Sequence, residues 1–221
     1  MSQTKPLWRQ VLDLYRPTSL GFKIKLFIRW KHGDPFERLE PYIPAHGRII
    51  DVGCGSGFFA NLLALTAPAR QVLGVDIDER QIQRAQRSVG QRTNARFEVR
   101  NLMQETLPSA DAVVFIDVLH HMRFEEQDHV LGVCHEALAP SGALFVLDDD
   151  VKPRWKYWYN RLCDSATGLL QITRGSTLSY QSSVDMTARL QRAGFGDVQV
   201  IPFAHFDLAP RVLFIAKPKR S

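Results

Sequence analysis

From residue 48 to the end of the chain, short apolar blocks alternate with stretches whose apolar positions recur every three or four residues. Residues 49–52 (IIDV) and 71–76 (QVLGVD) predict the first two strands, each leading into a helical pattern, at 58–65 and 79–89. Asp78 stands where the second of these helices needs an N-cap. Residues 95–99 predict a short third strand, and 110–116 (ADAVVFI) is the continuous apolar run of a strand covered on both faces. A helix over 124–138, a turn at 139–142 (APSG) and a fifth strand at 143–147 follow. Ser182 or Ser183 can cap a helix over 184–193 that stops at Gly194. Residues 198–202 and 211–216 predict two closing strands, with a connection short enough for an antiparallel pair. The alternation is that of a doubly wound α/β sheet.

Two segments depart from this rhythm. Residues 149–180 carry Trp155, Tyr157, Trp158 and Tyr159 beside basic and Gly/Ser/Thr-rich stretches, the mark of a cap inserted over the carboxyl edge of the sheet. Near the start, Leu20, Ile24, Phe27 and Ile28 share one helical face while Lys25, Arg29 and His32 lie on another. The expected organisation is therefore a basic amphipathic helical segment at 1–34 and a domain at 35–221 that includes the cap.

Charge sharpens the first of these. Of the formal net charge of +5, residues 1–48 hold nine Lys or Arg against four Asp or Glu. That face suits a lid, a membrane surface or an acidic carrier protein. The C-terminal Lys217, Lys219 and Arg220 have no interleaved aromatics, and no nucleic-acid module is present, so nucleic acid is not an expected partner. Cys54, Cys134 and Cys163 are dispersed and odd in number, which argues against a disulfide scaffold or a zinc ribbon. With neither a long apolar span nor a leader-like start, the expected compartment is the cytoplasm.

The chemistry concentrates at 48–57, RIIDVGCGSG, where an apolar strand runs into Gly53, Gly55 and Gly57. Glycines permit positive φ and close approach of a ligand to the backbone. A dinucleotide turn reads G-x-G-x-x-G; this one reads G-x-G-x-G with Asp51 two positions ahead. It resembles motif I of the class I S-adenosylmethionine-dependent methyltransferases, which implies a Rossmann-like seven-stranded sheet with an antiparallel last strand and S-adenosyl-L-methionine as cofactor. The resemblance makes Asp76, 19 residues past Gly57, the acceptor of both ribose hydroxyls and sets Ile77 against the adenine. Asn101, followed by Leu102, stands where the family usually has a small acidic residue, and its amide can still meet the adenine edge. The Asp-Val-Leu-His-His-Met run at 117–122 matches the stretch beneath the methionine moiety, with Asp117 meeting the ammonium by carbonyl or side chain. Asp51 orients the loop. Cys54 belongs to the turn backbone, with no base near it in sequence.

Methyl transfer from a sulfonium is an in-line displacement, and a base is needed only when the acceptor must lose a proton. His120 and His121 follow strand four at the edge where such folds bind ligands; one is a base, or the pair only lines the pocket. Asp117 with Asp148, Asp149 and Asp150 offers a magnesium-dependent alternative, set below a metal-free site. The expected acceptor is an oxygen or carbon of a small hydrophobic or aromatic metabolite, acyl- or polyketide-like and carrier-bound among the options; Tyr180 and His205 are further acceptor-side groups. The competing readings are a non-catalytic S-adenosylmethionine-binding module and an NAD-dependent oxidoreductase.

Overall fold

The computed structural model describes residues 5–15, 21, 36–151, 179–203 and 211–219. They fall into two compact units, one within residues 1–101 and the other within 102–221. The amphipathic stretch at 18–32 (Gly21 aside), the cap aromatics, His205 and Cys163 lie outside the described residues.

In the first unit, β1 (Gly47–Val52) pairs in parallel with β2 (Arg70–Asp76), and β2 with β3 (Ala95–Val99). Accompanying them are helices α1 (Leu7–Asp13), α2 (Phe36–Leu39), α3 (Phe58–Thr66) and α4 (Glu79–Ser88). Helix α3 is apolar nearly all round and buries every residue from Phe58 to Ala64, as a helix enclosed by protein must. Helix α4 buries only Ile82, Ala85 and Ser88, three residues apart, and leaves its charged face in water. Its N-cap is Asp78, whose carboxylate accepts from the backbone N–H of Arg80 at 2.8 Å and of Gln81 at 3.4 Å. At the start of β2 the wholly buried Arg70 donates to the carbonyls of Ile43 and Pro44 and to the Glu40 carboxylate, so its charge is paired and its donors are used.

The second unit contains β4 (Ala110–Ile116), α5 (Phe124–Ala137), β5 (Leu138–Asp149), α6 (Ser183–Arg192), β6 (Phe195–Pro202) and β7 (Arg211–Pro218). Strand β4 pairs with β5 in parallel, and β7 runs antiparallel to both β5 and β6. The seven strands are ordered β3-β2-β1-β4-β5-β7-β6. That is the expected sheet with its antiparallel last strand.

Two strand starts differ most from expectation. The Ala-Pro-Ser-Gly stretch is not a separate turn but lies inside β5, and the register with β4 absorbs it: Ala110 faces Leu138, whereas Ala112 faces Ala143. A bulge of this kind keeps Pro140 in the strand without demanding a ladder bond from its missing N–H. Strand β6 likewise begins at Phe195, with an irregularity between Phe195 and Asp197. Ser182 is the cap of α6; its hydroxyl accepts from the Asp185 N–H at 3.2 Å.

Candidate functional site

In the first unit, the turn from β1 into α3 holds Gly53, Gly55 and Gly57 at φ of 69°, 53° and 79°, all in the left-handed region. The turn is pinned from behind. The N–H groups of Gly53 and Cys54 both donate to the Val75 carbonyl, at 2.8 and 3.0 Å, and the Gly55 N–H donates to Oδ2 of Asp76 at 2.8 Å. The other oxygen of Asp76 accepts from the Asp78 N–H at 2.8 Å. One carboxylate thus ties the end of β2 to the glycine loop. A Cβ at Gly55 would meet no atom within 4 Å, so the outer side of the loop is open there, whereas a Cβ at Gly57 would run into the Phe97 ring at 2.5 Å. Beside Asp76, the Ile77 side chain is 69% exposed. An apolar side chain so placed presents a surface that a planar base can cover.

Asp51 is buried, and burial, followed by the nearby charge of Asp76, pushes its carboxyl up to about 7 against the Ala60 backbone N–H that favours its ionised form. Burial also pushes the Cys54 thiol up, with Asp51 and Asp76 adding to the effect, so the thiolate a nucleophile needs is disfavoured.

In the second unit, β4 is followed directly by Asp117, the one non-glycine residue of positive φ (55°) among those described. Its N–H donates to the Leu147 carbonyl at 3.0 Å, and Oδ2 accepts from Arg211 Nη2 at 2.9 Å. Arg211 opens β7 opposite Asp149 and also lies 3.8 Å from that carboxylate. Burial and the neighbouring Asp117 and Asp148 push Asp149 up to about 7 even so. Arg211 thus engages one of the two oxygens of the Asp117 carboxylate.

The two histidines separate in role. A 3-10 turn at Leu119–His121 follows β4 and buries His120, whose Nδ1 lies 2.5 Å from Oδ1 of Asp148 near the end of β5. The His120 N–H donates to the other oxygen of Asp148 at 3.2 Å. Burial opposes charge on both partners, but their mutual attraction outweighs it: His120 is pushed up to about 9 and Asp148 is held below the usual carboxylate range. Tyr180 stacks flat on the imidazole, with centroids 5.1 Å apart and planes 7° off parallel, and the Ser179 N–H donates to the His120 carbonyl at 2.8 Å. The His121 ring lies 4.0 Å from that of His120 and tilts by 49°. With Nδ1 committed to Asp148, Nε2 is the nitrogen His120 keeps for other partners. His120, Asp148, Tyr180, Gln181 and Met186 line a cleft in this unit.

Among the described residues no group of three or more His, Cys, Asp or Glu is arranged to hold a metal. Asn101 is half-buried at the end of β3, and Leu102 is buried in the core. Three participants escape a reading of the sequence. Asp148 appears there only as one of an acidic run, Arg211 becomes visible only through the antiparallel register of β7, and Tyr15, whose hydroxyl donates to the Ser56 carbonyl of the glycine loop at 2.8 Å, has no local signal at all.

A protein-family model described as a methyltransferase domain matches residues 25–200. The chain belongs to this methyltransferase family. Its fold, family and glycine spacing are those of the class I S-adenosylmethionine-dependent methyltransferases. It is 42% identical over 57 residues to a malonyl-[acyl-carrier protein] O-methyltransferase of Legionella pneumophila, a match covering 26% of this chain and 20% of that protein. Over 112 residues it is 26% identical to a ubiquinone biosynthesis O-methyltransferase of Leptothrix cholodnii, covering 48% and 46%. The chain thus spans less than half the length of these curated relatives. Among solved structures, the S-adenosylmethionine-dependent methyltransferase SibL in its apo form superposes with a TM-score of 0.70 at 18% identity, over 100% of this chain and 64% of that one.

Proposed function

We propose that this methyltransferase moves a methyl group from S-adenosylmethionine to the hydroxyl oxygen of a small, hydrophobic or aromatic metabolite. The 2.5 Å contact between His120 and Asp148 carries the reading. Displacement at a methyl carbon needs no base unless the acceptor holds a proton, and a histidine oriented by a carboxylate is a group that removes one. Nε2 of His120 takes the hydroxyl proton as the oxygen attacks, and Asp148 stabilises the imidazolium that results. Tyr180 keeps the ring in plane. Two O-methyltransferases among the relatives support oxygen as the attacking atom.

S-adenosylmethionine supplies a methyl made electrophilic by the sulfonium. The first unit fits its adenosine portion: Asp76 has lone pairs left for the ribose hydroxyls, Ile77 offers an exposed face to the adenine, and the open side of the loop at Gly55 leaves room for the ligand. Asn101 and Leu102 are assigned to the adenine edge, and Asp117 to the ammonium through its carbonyl. The test is turnover of methyl-labelled S-adenosylmethionine by the full chain over a panel of phenols and alcohols, with one S-adenosylhomocysteine released per methyl transferred. Binding of S-adenosylmethionine and S-adenosylhomocysteine with no turnover on any hydroxyl acceptor would overturn the reading of hydroxyl methylation.

Asp76→Ala removes the ribose acceptor and one tether of the loop. Calorimetry with S-adenosylhomocysteine is expected to show affinity about 10- to 100-fold lower, the scale of one or two charge-assisted hydrogen bonds; unchanged affinity would refute the assignment. A carrier-bound acceptor is a finer reading, supported by the basic face at 1–34 and by the carrier protein in the name of the Legionella relative. Reversing the charges of Lys25 and Arg29 should then raise KM for a carrier-bound acceptor and leave KM for a free one unchanged.

A further inference from the structure

We propose that helix α1 is coupled to the cofactor loop through Tyr15, so that binding of S-adenosylmethionine and docking of the N-terminal helix strengthen one another. The inference rests on the cofactor reading of the glycine loop. It extends that reading to a residue outside every motif of the sequence.

Helix α1 has seven residues, too few to be stable alone in water. Val11 on the helix and Tyr15, two residues past its end, anchor it and are 0% and 2% exposed. The Tyr15 ring stacks on Phe58, the first residue of α3, with planes 11° apart and centroids 6.3 Å apart. Its hydroxyl donates to the Ser56 carbonyl and accepts from Asn61 Nδ2 at 2.9 Å. The Asn61 amide also donates to Ser88 Oγ at 2.7 Å, and Asn61 Oδ1 accepts from Arg92 Nη2 at 2.5 Å. A buried polar chain therefore runs from the glycine loop through Tyr15 and α3 to the end of α4, and the members of such a network fix one another's positions.

The position of the Ser56 contact gives the network its meaning. The β-sheet side pins the loop at Gly53, Cys54 and Gly55 through Val75 and Asp76, and the Gly57 N–H donates to the Cys54 carbonyl at 2.9 Å. Tyr15, just past the end of α1, takes the peptide between these. A ligand resting on the loop gains from a preorganised backbone. By linkage, whatever holds the loop for the ligand is itself held more firmly once the ligand is bound. The N-terminal helix is thus part of the cofactor site, acting through the loop it steadies.

Hydrogen exchange on the full chain, with and without S-adenosylhomocysteine, tests the coupling. In the wild type, amides of residues 7–15 are expected to exchange more slowly when the ligand is bound, together with those of 53–57. Tyr15→Phe keeps the ring on Phe58 and deletes the hydroxyl. It should weaken S-adenosylhomocysteine about five- to tenfold, the worth of one or two buried hydrogen bonds, and abolish the ligand-dependent protection of 7–15. Wild-type exchange at 7–15 that ignores the ligand would overturn the proposal. So would a Tyr15→Phe chain that melts lower yet binds with wild-type affinity, the result of a purely structural tyrosine. A wild-type chain that fails to bind S-adenosylhomocysteine would instead strike down the cofactor reading, and the coupling with it.

Discussion

His120→Gln is expected to lower kcat by about 10²- to 10⁴-fold, the contribution of a positioned general base, and to leave the affinity for S-adenosylhomocysteine unchanged. Glutamine keeps polar atoms for Asp148 to meet but cannot accept a proton at neutral pH. The pH dependence carries the sharper test. The base works as neutral imidazole, and His120 is pushed up to about 9, so kcat should climb from pH 7 and level off above about 9. Stability moves the other way. A histidine whose folded pKa exceeds its unfolded value of about 6.5 stabilises the fold fully below that value, and the contribution is lost as pH rises through the folded pKa. Between pH 7 and 9 the enzyme should therefore gain rate while its melting temperature falls. Asp51 and Asp149, both near 7, have largely finished titrating by the upper part of that window. Asp148→Asn removes the attraction that raises His120 and leaves the burial that lowers it, which should move the kcat limb to lower pH by a unit or more. Stopped-time assays and thermal melts on the same buffers decide the matter. A flat pH profile for the wild type, or an Asp148→Asn limb that stays near 9, would remove His120 as the base.

What the sequence disclosed, and what it withheld, follows from the range of the interactions. Asp78 was legible as a cap because a cap acts on residues two and three positions on. The glycine spacing was legible because the turn itself demands positive φ at those positions. Strand β5 was misjudged at its start because the Ala-Pro-Ser-Gly stretch is a turn signal in isolation, and only pairing with β4 holds it as a bulge. The pair of histidines could not be told apart along the chain: only the meeting of two strand ends gives Asp148 to His120, 28 residues away. Arg211 reaches Asp117 across 94 residues and Tyr15 reaches Ser56 across 41, distances at which no local pattern survives. The acidic run at 148–150, with Asp117, offers a magnesium alternative along the chain, set below a metal-free site. In space, Asp148 serves His120 and Asp149 turns toward Arg211.

The second and third glycines of the loop should fail differently when each is replaced by alanine. Both hold positive φ, which costs an alanine about 1–2 kcal/mol. At Gly57 a Cβ would come within 2.5 and 2.6 Å of the Phe97 ring and 2.9 Å of the Ala85 methyl. Neither neighbour can yield cheaply, since Phe97 is 4% exposed and Ala85 is wholly buried on α4. Overpacking of this kind adds about 1–3 kcal/mol, so Gly57→Ala should lose about 2–5 kcal/mol of stability in denaturant titrations. At Gly55 the added methyl meets nothing within 4 Å. Gly55→Ala should therefore lose only the backbone part of that stability while placing its methyl on the open side of the loop, where the proposed ligand would rest. Calorimetry with S-adenosylhomocysteine should show at least tenfold weaker binding by a chain that still melts cooperatively. If Gly57→Ala proves as stable as Gly55→Ala, the packing account of the third glycine is wrong. If Gly55→Ala binds like the wild type, the ligand does not lie against the loop, and the space above Gly55 serves some other purpose.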